Sequence, residues 1–230
     1  MHYVIINGQN SNAYDGLQVL TLPPIVKPRM RTQVSTIDGR PGDIVTRLGY
    51  EAYNKKIKVL LHDRYDLDAI ESFFNSSGEI VFSNEPDRVY QFETIDVIEF
   101  QRAAHFKTAE ITFHVQPYKL QYQERPETLT ASPAGVYNYG NTNAAPRIRI
   151  NGSGQVTLNL DDNTAFVIDM PAAGWIVIDA AEMNAYSGEN LANRSVTGSY
   201  DNILLSPGIH SLSWSGTVTS IVVTNMSRWI

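Results

Sequence analysis

The stretch Ile111-Thr112-Phe113-His114-Val115-Gln116-Pro117 decides how the first half of this chain is read. Ile111, Phe113 and Val115 alternate with Thr112, His114 and Gln116. Successive side chains of a strand point to opposite faces, so the pattern describes a half-buried strand, expected to end at the proline. Upstream, Lys56-Ile57-Lys58-Val59-Leu60-Leu61 begins with the same alternation and then runs apolar. Glu79-Ile80-Val81-Phe82-Ser83 and Val89-Tyr90-Gln91-Phe92-Glu93-Thr94 flank a tight turn at Glu85-Pro86-Asp87. Val4-Ile5-Ile6-Asn7-Gly8 reads as a first strand closing in an Asn-Gly turn. One segment departs from period two. Leu67, Ile70, Phe73 and Phe74 recur at helical spacing behind Asp66, a suitable N-cap, with Gly78 expected just past the helix end. The first domain is therefore expected to be a β-sandwich or split barrel with one short helix laid against it.

Beyond Pro117 the pattern breaks. Pro117, Pro126 and Pro133 punctuate a polar stretch, and proline removes backbone donors and restricts its neighbours. A seam is expected over residues 116–133, giving an N-terminal domain of residues 1–117, a linker of 118–133 and a C-terminal domain of 134–230. The halves differ in kind: residues 1–130 hold 14 Lys and Arg and 17 Asp and Glu, against 4 and 7 in residues 131–230. The second half is rich in Asn, Ser, Gly and Ala. It reads as short strands at 147–151, 155–160, 165–169, 175–179, 203–205, 211–214 and 217–224. Asn151-Gly152-Ser153-Gly154, Asp161-Asp162-Asn163, Pro207-Gly208 and Ser215-Gly216 serve as the turns between them. About seven strands so spaced suggest an antiparallel sandwich. The fold class is mainly β, with two sandwich-like domains and no repeat relating them.

Composition narrows the function. The chain of 230 residues has 43% apolar residues, enough for real cores, and no run approaching the ~18 apolar residues of a membrane helix. Its N-terminus lacks a secretory pattern, so no export is expected, and the sequons at Asn75, Asn151, Asn193 and Asn225 carry no weight. No cysteine is present, which removes disulfides, thiolate metal sites and cysteine nucleophiles. A formal charge of −6 argues against a nucleic-acid binder.

Catalytic patterns are missing where they would be visible. His2, His62, His105, His114 and His210 form no close ligand pair. Gly152-Ser153-Gly154 lacks the spacing of a nucleophile elbow, and Gly39-Arg40-Pro41-Gly42 precedes no helix that could cradle phosphate. Asp161-Asp162 and the acids Asp63, Asp66 and Asp68 suit a turn and a helix start. No enzyme activity and no cofactor or metal is expected.

Three features remain. Trp175, Tyr186 and Tyr200, with Trp214 and Trp229, could form a sugar-stacking surface, although Trp175 and Trp214 sit in apolar strands and are expected to fill the core. Arg29, Arg31, Arg40 and Arg47 bracket a Gly/Pro-tipped hairpin, Ile37-Asp38-Gly39-Arg40-Pro41-Gly42-Asp43, whose polar arms could reach a neighbouring subunit. Asn84-Glu85-Pro86-Asp87-Arg88 crowds opposite charges into a turn, where a local ion pair would hold the hairpin.

In order along the chain, Val4-Ile5-Ile6-Asn7-Gly8, Leu22-Pro23-Pro24-Ile25, the hairpin at 37–42, the Phe73-Phe74 helix and Val81-Phe82-Ser83-Asn84-Glu85-Pro86-Asp87-Arg88-Val89-Tyr90 resemble one family. It is that of the distal tail proteins of long, non-contractile tails of phages infecting Gram-positive bacteria. Asn143-Ala144-Ala145-Pro146-Arg147-Ile148-Arg149-Ile150 and Leu205-Ser206-Pro207-Gly208-Ile209-His210 are similar to the galectin-like C-terminal sandwich of such proteins. The resemblance implies a homohexameric hub ring at the distal tail tip of the virion. It also implies partners in the tail tube protein, a tail-associated tip protein and a receptor-binding protein, with DNA only passing through the lumen. The arginine hairpin would match the family's belt, which places Arg31, Arg40, Asp43 and Arg47 at the subunit contact. Glu85, Pro86, Asp87 and Arg88 form the family's motif turn. The alternative is a carbohydrate-binding module for host wall polysaccharide, using Trp175, Tyr186 and Tyr200.

Overall fold

The alternating stretch forms a strand, but that strand does not stop at Pro117. In the computed structural model, which describes residues 2–62, 65–94, 98–103 and 106–230, it runs from Phe106 to Gln121. Tyr53–Leu61 lies on one side and ends its pairing at Val115↔Tyr53. Arg88–Thr94 lies on the other, with its register shifted between Val115 and Lys119. Pro117 falls inside that shift, so its missing N–H breaks no ladder bond, and the proline marks a bulge rather than an end.

The chain divides into two units, one of residues 1–122 (with residue 230) and one of Gln123–Trp229. In the first unit the antiparallel order is Gln9–Asn10, Val4–Ile6, Ser77–Phe82, Arg88–Thr94, Phe106–Gln121, Tyr53–Leu61, Leu17–Thr21. A bridge between His2 and Val19 draws the two ends together, so the sheet curls around its apolar face. That face holds Val4, Ile6, Ile57, Val59, Ile80, Phe82, Tyr90, Ile111 and Phe113, all buried. The helix Leu67–Phe74 closes the core with Ile70, Phe73 and Phe74. Asp66 caps it by accepting from the Ala69 N–H at 3.1 Å. Gly78 is not the C-terminal glycine of this helix. It lies within Ser77–Phe82 at φ +131°, where Asn7 clamps it, donating to the Ser77 carbonyl at 3.0 Å and accepting from the Glu79 N–H at 2.9 Å. A Cβ there would collide with the Asn7 side chain, so the glycine serves that clamp.

The second unit is a sandwich made by two long strands that pass through both sheets. Arg147–Leu160 and Gly208–Thr224 pair along most of their length. Turns were expected at Asn151-Gly152-Ser153-Gly154 and Ser215-Gly216; the strands instead continue through both, with register shifts there. Gly152 and Gly216 allow this because a Cβ on either would press into the facing carbonyl oxygen, Thr217 for one and Gln155 for the other. On one side of the bend, residues 147–151 and 221–223 pair with Trp175–Asp179 and Glu127–Leu129. On the other side, residues 155–160 and 208–212 pair with Asn163–Asp169 and Ala134–Asn138. Ile148, Ile150, Leu158, Phe166, Ile176, Ile178, Leu212 and Ile221 fill the space between. The expected fold class, mainly β with two sandwich-like units and one helix, is the one observed.

Candidate functional site

Met30–Thr36 and Asp43–Tyr50 form a two-stranded sheet that pairs only with itself among the described residues. Seven residues at about 3.3 Å each make an arm roughly 20 Å long. From Arg31 to Gly49 every residue except Ile44 is exposed. Four of them are large and apolar: Val34 (55% exposed), Ile37 (49%), Val45 (57%) and Leu48 (51%). Val34 and Val45 face each other across the strands, and Leu48 is the extra residue at a bulge between Arg31↔Gly49 and Thr32↔Arg47. An isolated two-stranded hairpin is marginal in water, so an arm with an apolar pair on its face calls for something to pack against.

The four arm residues singled out in the sequence divide by environment. Arg31 donates to the Leu48 carbonyl at 3.4 Å, and Asp43 accepts from the Thr36 hydroxyl at 3.0 Å across the strands. Arg40 at the tip and Arg47 on the flank have no side-chain hydrogen bond or ion pair among the described residues. The apolar residues between the arginines were not legible in the sequence, because the pairing of Val34 with Val45 depends on the hairpin register, which a single strand pattern does not reveal.

The arm is tied to its domain by the motif turn. Pro23 and Pro24 lead toward it and have no N–H to offer a ladder. Their carbonyls are caught instead, Pro23 by Asn84 Nδ2 at 2.9 Å and Pro24 by Lys55 Nζ at 3.2 Å. Lys55 is almost wholly buried and lies over the rings of Tyr90 (4.7 Å) and Phe82 (5.3 Å). Glu85 turns inward rather than holding the turn by a local pair. It accepts from Lys119 Nζ at 2.7 Å and from the Tyr90 hydroxyl, and it faces Lys55 Nζ at 4.0 Å. The expected local pair is carried by the neighbours, Arg88 and Asp87 at 2.7 Å. Pro86 lets the chain turn so that Glu85 points in and Asp87 out.

Burial dominates the titration of this cluster. It pulls Lys55 down to about 8 against the attraction of Glu85, with Lys119 pushing the same way as burial. Burial and then Glu85 push Tyr53 up to about 12, and burial with the bond to Glu85 raises Tyr90 further. A buried anion shared by two cations and a phenol is a fastening.

The aromatic residues of the second unit do not form one surface. Trp175 was expected in the core, yet its strand turns Ile176 and Ile178 inward and Trp175 outward. Tyr186 shares that outer face through its pairing with Val177. Tyr200 packs against Phe166 at 5.1 Å beside the core, and Trp214 also lies against the core. The Trp175 ring is covered by the Arg149 guanidinium at 4.3 Å, which occupies a face a sugar would need. Next to it, Arg147 reaches Asp179 at 2.7 and 2.8 Å, and that hydrogen bond, outweighing burial, raises the arginine's pKa.

A Ser-His-Asp constellation is present that sequence spacing did not reveal. His210 Nδ1 lies 2.6 Å from Asp161 Oδ2, and Nε2 lies 3.3 Å from the Ser206 hydroxyl. The same Nε2 is 2.8 Å from the Ser206 carbonyl oxygen. Nδ1 meets a carboxylate and Nε2 a backbone carbonyl, so the ring links the two rather than standing over the Ser206 hydroxyl as its base. Burial pulls the His210 pKa down, but the bonds to Asp161 and the Ser206 carbonyl outweigh it and the net shift is upward. The group is a clip between the Asp161-Asp162 turn and the residues at 206–210.

Among the described residues no group of three His, Asp or Glu is placed to hold a metal ion. His114 meets Asn54 at 2.9 Å. His105 and Asp63, considered above, lie outside the described residues.

No family model matches the chain, and no curated protein matches it. Solved structures do. The crystal structure of SPP1 Dit (gp 19.1), described as a paradigm of the hub adsorption apparatus in phages infecting Gram-positive bacteria, has a TM-score of 0.69 at 15% identity, covering 100% of both chains. A chain of the phage P2 baseplate in its activated conformation with Ca has a TM-score of 0.54 at 9% identity, covering 97% of each. The same baseplate with Sr has 0.52 at 10%, covering 96% of this chain and 97% of that one. From the first strand to the last, this chain has the fold of SPP1 Dit, the fold that the resemblance of its sequence motifs implies.

Proposed function

We propose that this protein is a structural component of a phage virion, the hub at the distal end of a long, non-contractile tail. Six copies form a ring there. The ring joins the tail tube protein to the tail-associated tip protein and the receptor-binding protein, and DNA passes through its lumen. The observation that carries this reading is the exposed arm, a two-stranded ribbon with apolar and arginine side chains that pairs only with itself among the described residues, on a chain whose fold matches a hub protein end to end. A closed ring needs a heterologous contact, one patch meeting a different patch on the next copy, and a projecting arm supplies one half of it. The other unit, poor in charge and rich in Asn and Ser, serves as the outward attachment surface. The role is structural rather than catalytic: the His210 ring is held between Asp161 and the Ser206 carbonyl, and the buried lysine cluster fastens the arm.

Native mass measurement and particle images of the purified chain test this. A hollow six-fold ring is expected, and substituting Arg31, Arg40 and Arg47 together by alanine should shift the mass toward monomer. A monomer at all concentrations would overturn the hub assignment.

A further inference from the structure

We infer that the arm of one copy is received by an acidic cleft on the first unit of the next, formed by Glu79 and Glu93; this rests on the ring reading above. The cleft, about 340 Å³, is lined by Ser77, Gly78, Glu79, Gln91, Glu93 and Gln116, with Phe92 at its floor. The cross-strand pairs Ser77↔Glu93 and Glu79↔Gln91 put both carboxylates on the outer face of the curled sheet, away from the core. Both are exposed, and neither has a hydrogen bond or ion pair among the described residues. Among the described residues there are thus two carboxylates without cations at one place and two guanidinium groups without anions, Arg40 and Arg47, at another.

Charge complementarity selects the occupant. An arginine fork matches a carboxylate in two parallel hydrogen bonds, and such pairs gain when the contact excludes water. The apolar Val34–Val45 pair lies on the arm face that also bears Arg47, so docking would cover it at the same time. Arm and cleft are different patches of the same chain. Each copy can therefore give its arm to one neighbour and receive that of the other, as a closed ring requires.

Native mass spectrometry and dilution-series light scattering on the full-length chain decide the matter. Glu79→Arg with Glu93→Arg, and separately Arg40→Glu with Arg47→Glu, should each raise the concentration at which the ring dissociates by at least tenfold. The four substitutions together should restore the wild-type value to within about threefold. Circular dichroism melting checks that each variant is folded, as exposed sites lead one to expect. A wild-type ring unaffected by the Glu79 and Glu93 substitutions overturns this cleft and leaves the ring. Two weakened double variants with no recovery in the fourfold variant overturn the pairing of arm with cleft. A wild-type chain that never leaves the monomer overturns the ring reading, and this inference with it.

Discussion

Replacing Glu85 by glutamine should destabilise the first unit by about 3 kcal/mol. The side chain is about 10% exposed, Lys119 9% and Lys55 1%, so none of the three charges is screened by bulk water. Glu85 lies 2.7 Å from one ammonium and 4.0 Å from the other. At an effective dielectric constant near 20, a pair at 4 Å is worth about 4 kcal/mol, and the relief from no longer burying a carboxylate returns part of that. Breaking a buried pair from one side costs about 3–5 kcal/mol; the amide keeps the shape and an acceptor for Tyr90, which puts the change at the low end. A unit of this size loses a few degrees per kcal/mol, so its Tm should fall by about 10 °C. Guanidinium unfolding followed by near-ultraviolet tyrosine dichroism reads this unit. All three tryptophans lie in the other, whose fluorescence midpoint should move less. Adding Lys55→Met to the Glu85→Gln variant removes one orphaned cation and should regain at least about 1 kcal/mol. A Glu85→Gln loss below about 1 kcal/mol, or no recovery on adding Lys55→Met, would refute the account of a shared buried anion.

Lys55 also imposes a pH dependence. Its folded pKa of about 8 lies below the ordinary 10.5, so the unfolded chain binds the extra proton between those values and stability rises with pH from about 8. Tyr53 and Tyr90 act oppositely above pH 10, because the unfolded phenols ionise first. Denaturant midpoints should therefore peak near pH 10, and the rise should vanish in Lys55→Met; a flat wild-type profile contradicts the burial of a charged amine. His210 has the other sign: its pKa is raised, so its stabilisation is complete below about pH 6.5 and is lost as pH climbs through the folded value. The gap between wild type and His210→Ala, followed by tryptophan fluorescence, should shrink from pH 6 to 8.5, and a constant gap would mean that the clip is not charged. On a glycan array of host wall fragments the full chain should give no saturable binding, because Arg149 already covers Trp175. Saturable binding lost on Trp175→Ala would restore the carbohydrate reading.

What the sequence revealed and what it hid follow from how far each interaction reaches along the chain. Alternation at 111–116, the Asp66 cap and the Gly39-Arg40-Pro41-Gly42 tip are local, and each has its counterpart in the structure. The anchor under the arm is not local: Glu85 and Lys119 are 34 residues apart, and Lys55 binds Pro24 across 31. One part of it was nevertheless legible. Lys55 has the inward parity of Ile57 and Val59, so a lysine at that position in the alternation announces a buried cation in need of an anion. Lys119 keeps the parity of Val115 across the register shift around Pro117 and is buried too, but which anion the two lysines share no local pattern reveals. The same limit hid the two bent strands of the sandwich. Glycines at 152 and 216 read as turns when each is taken alone, yet each makes room for the carbonyl of the other strand. A glycine that ends a strand and a glycine that lets two strands bend together have the same letter. They differ in the partner across the ladder, and that partner lies some sixty residues away, beyond the reach of any local pattern.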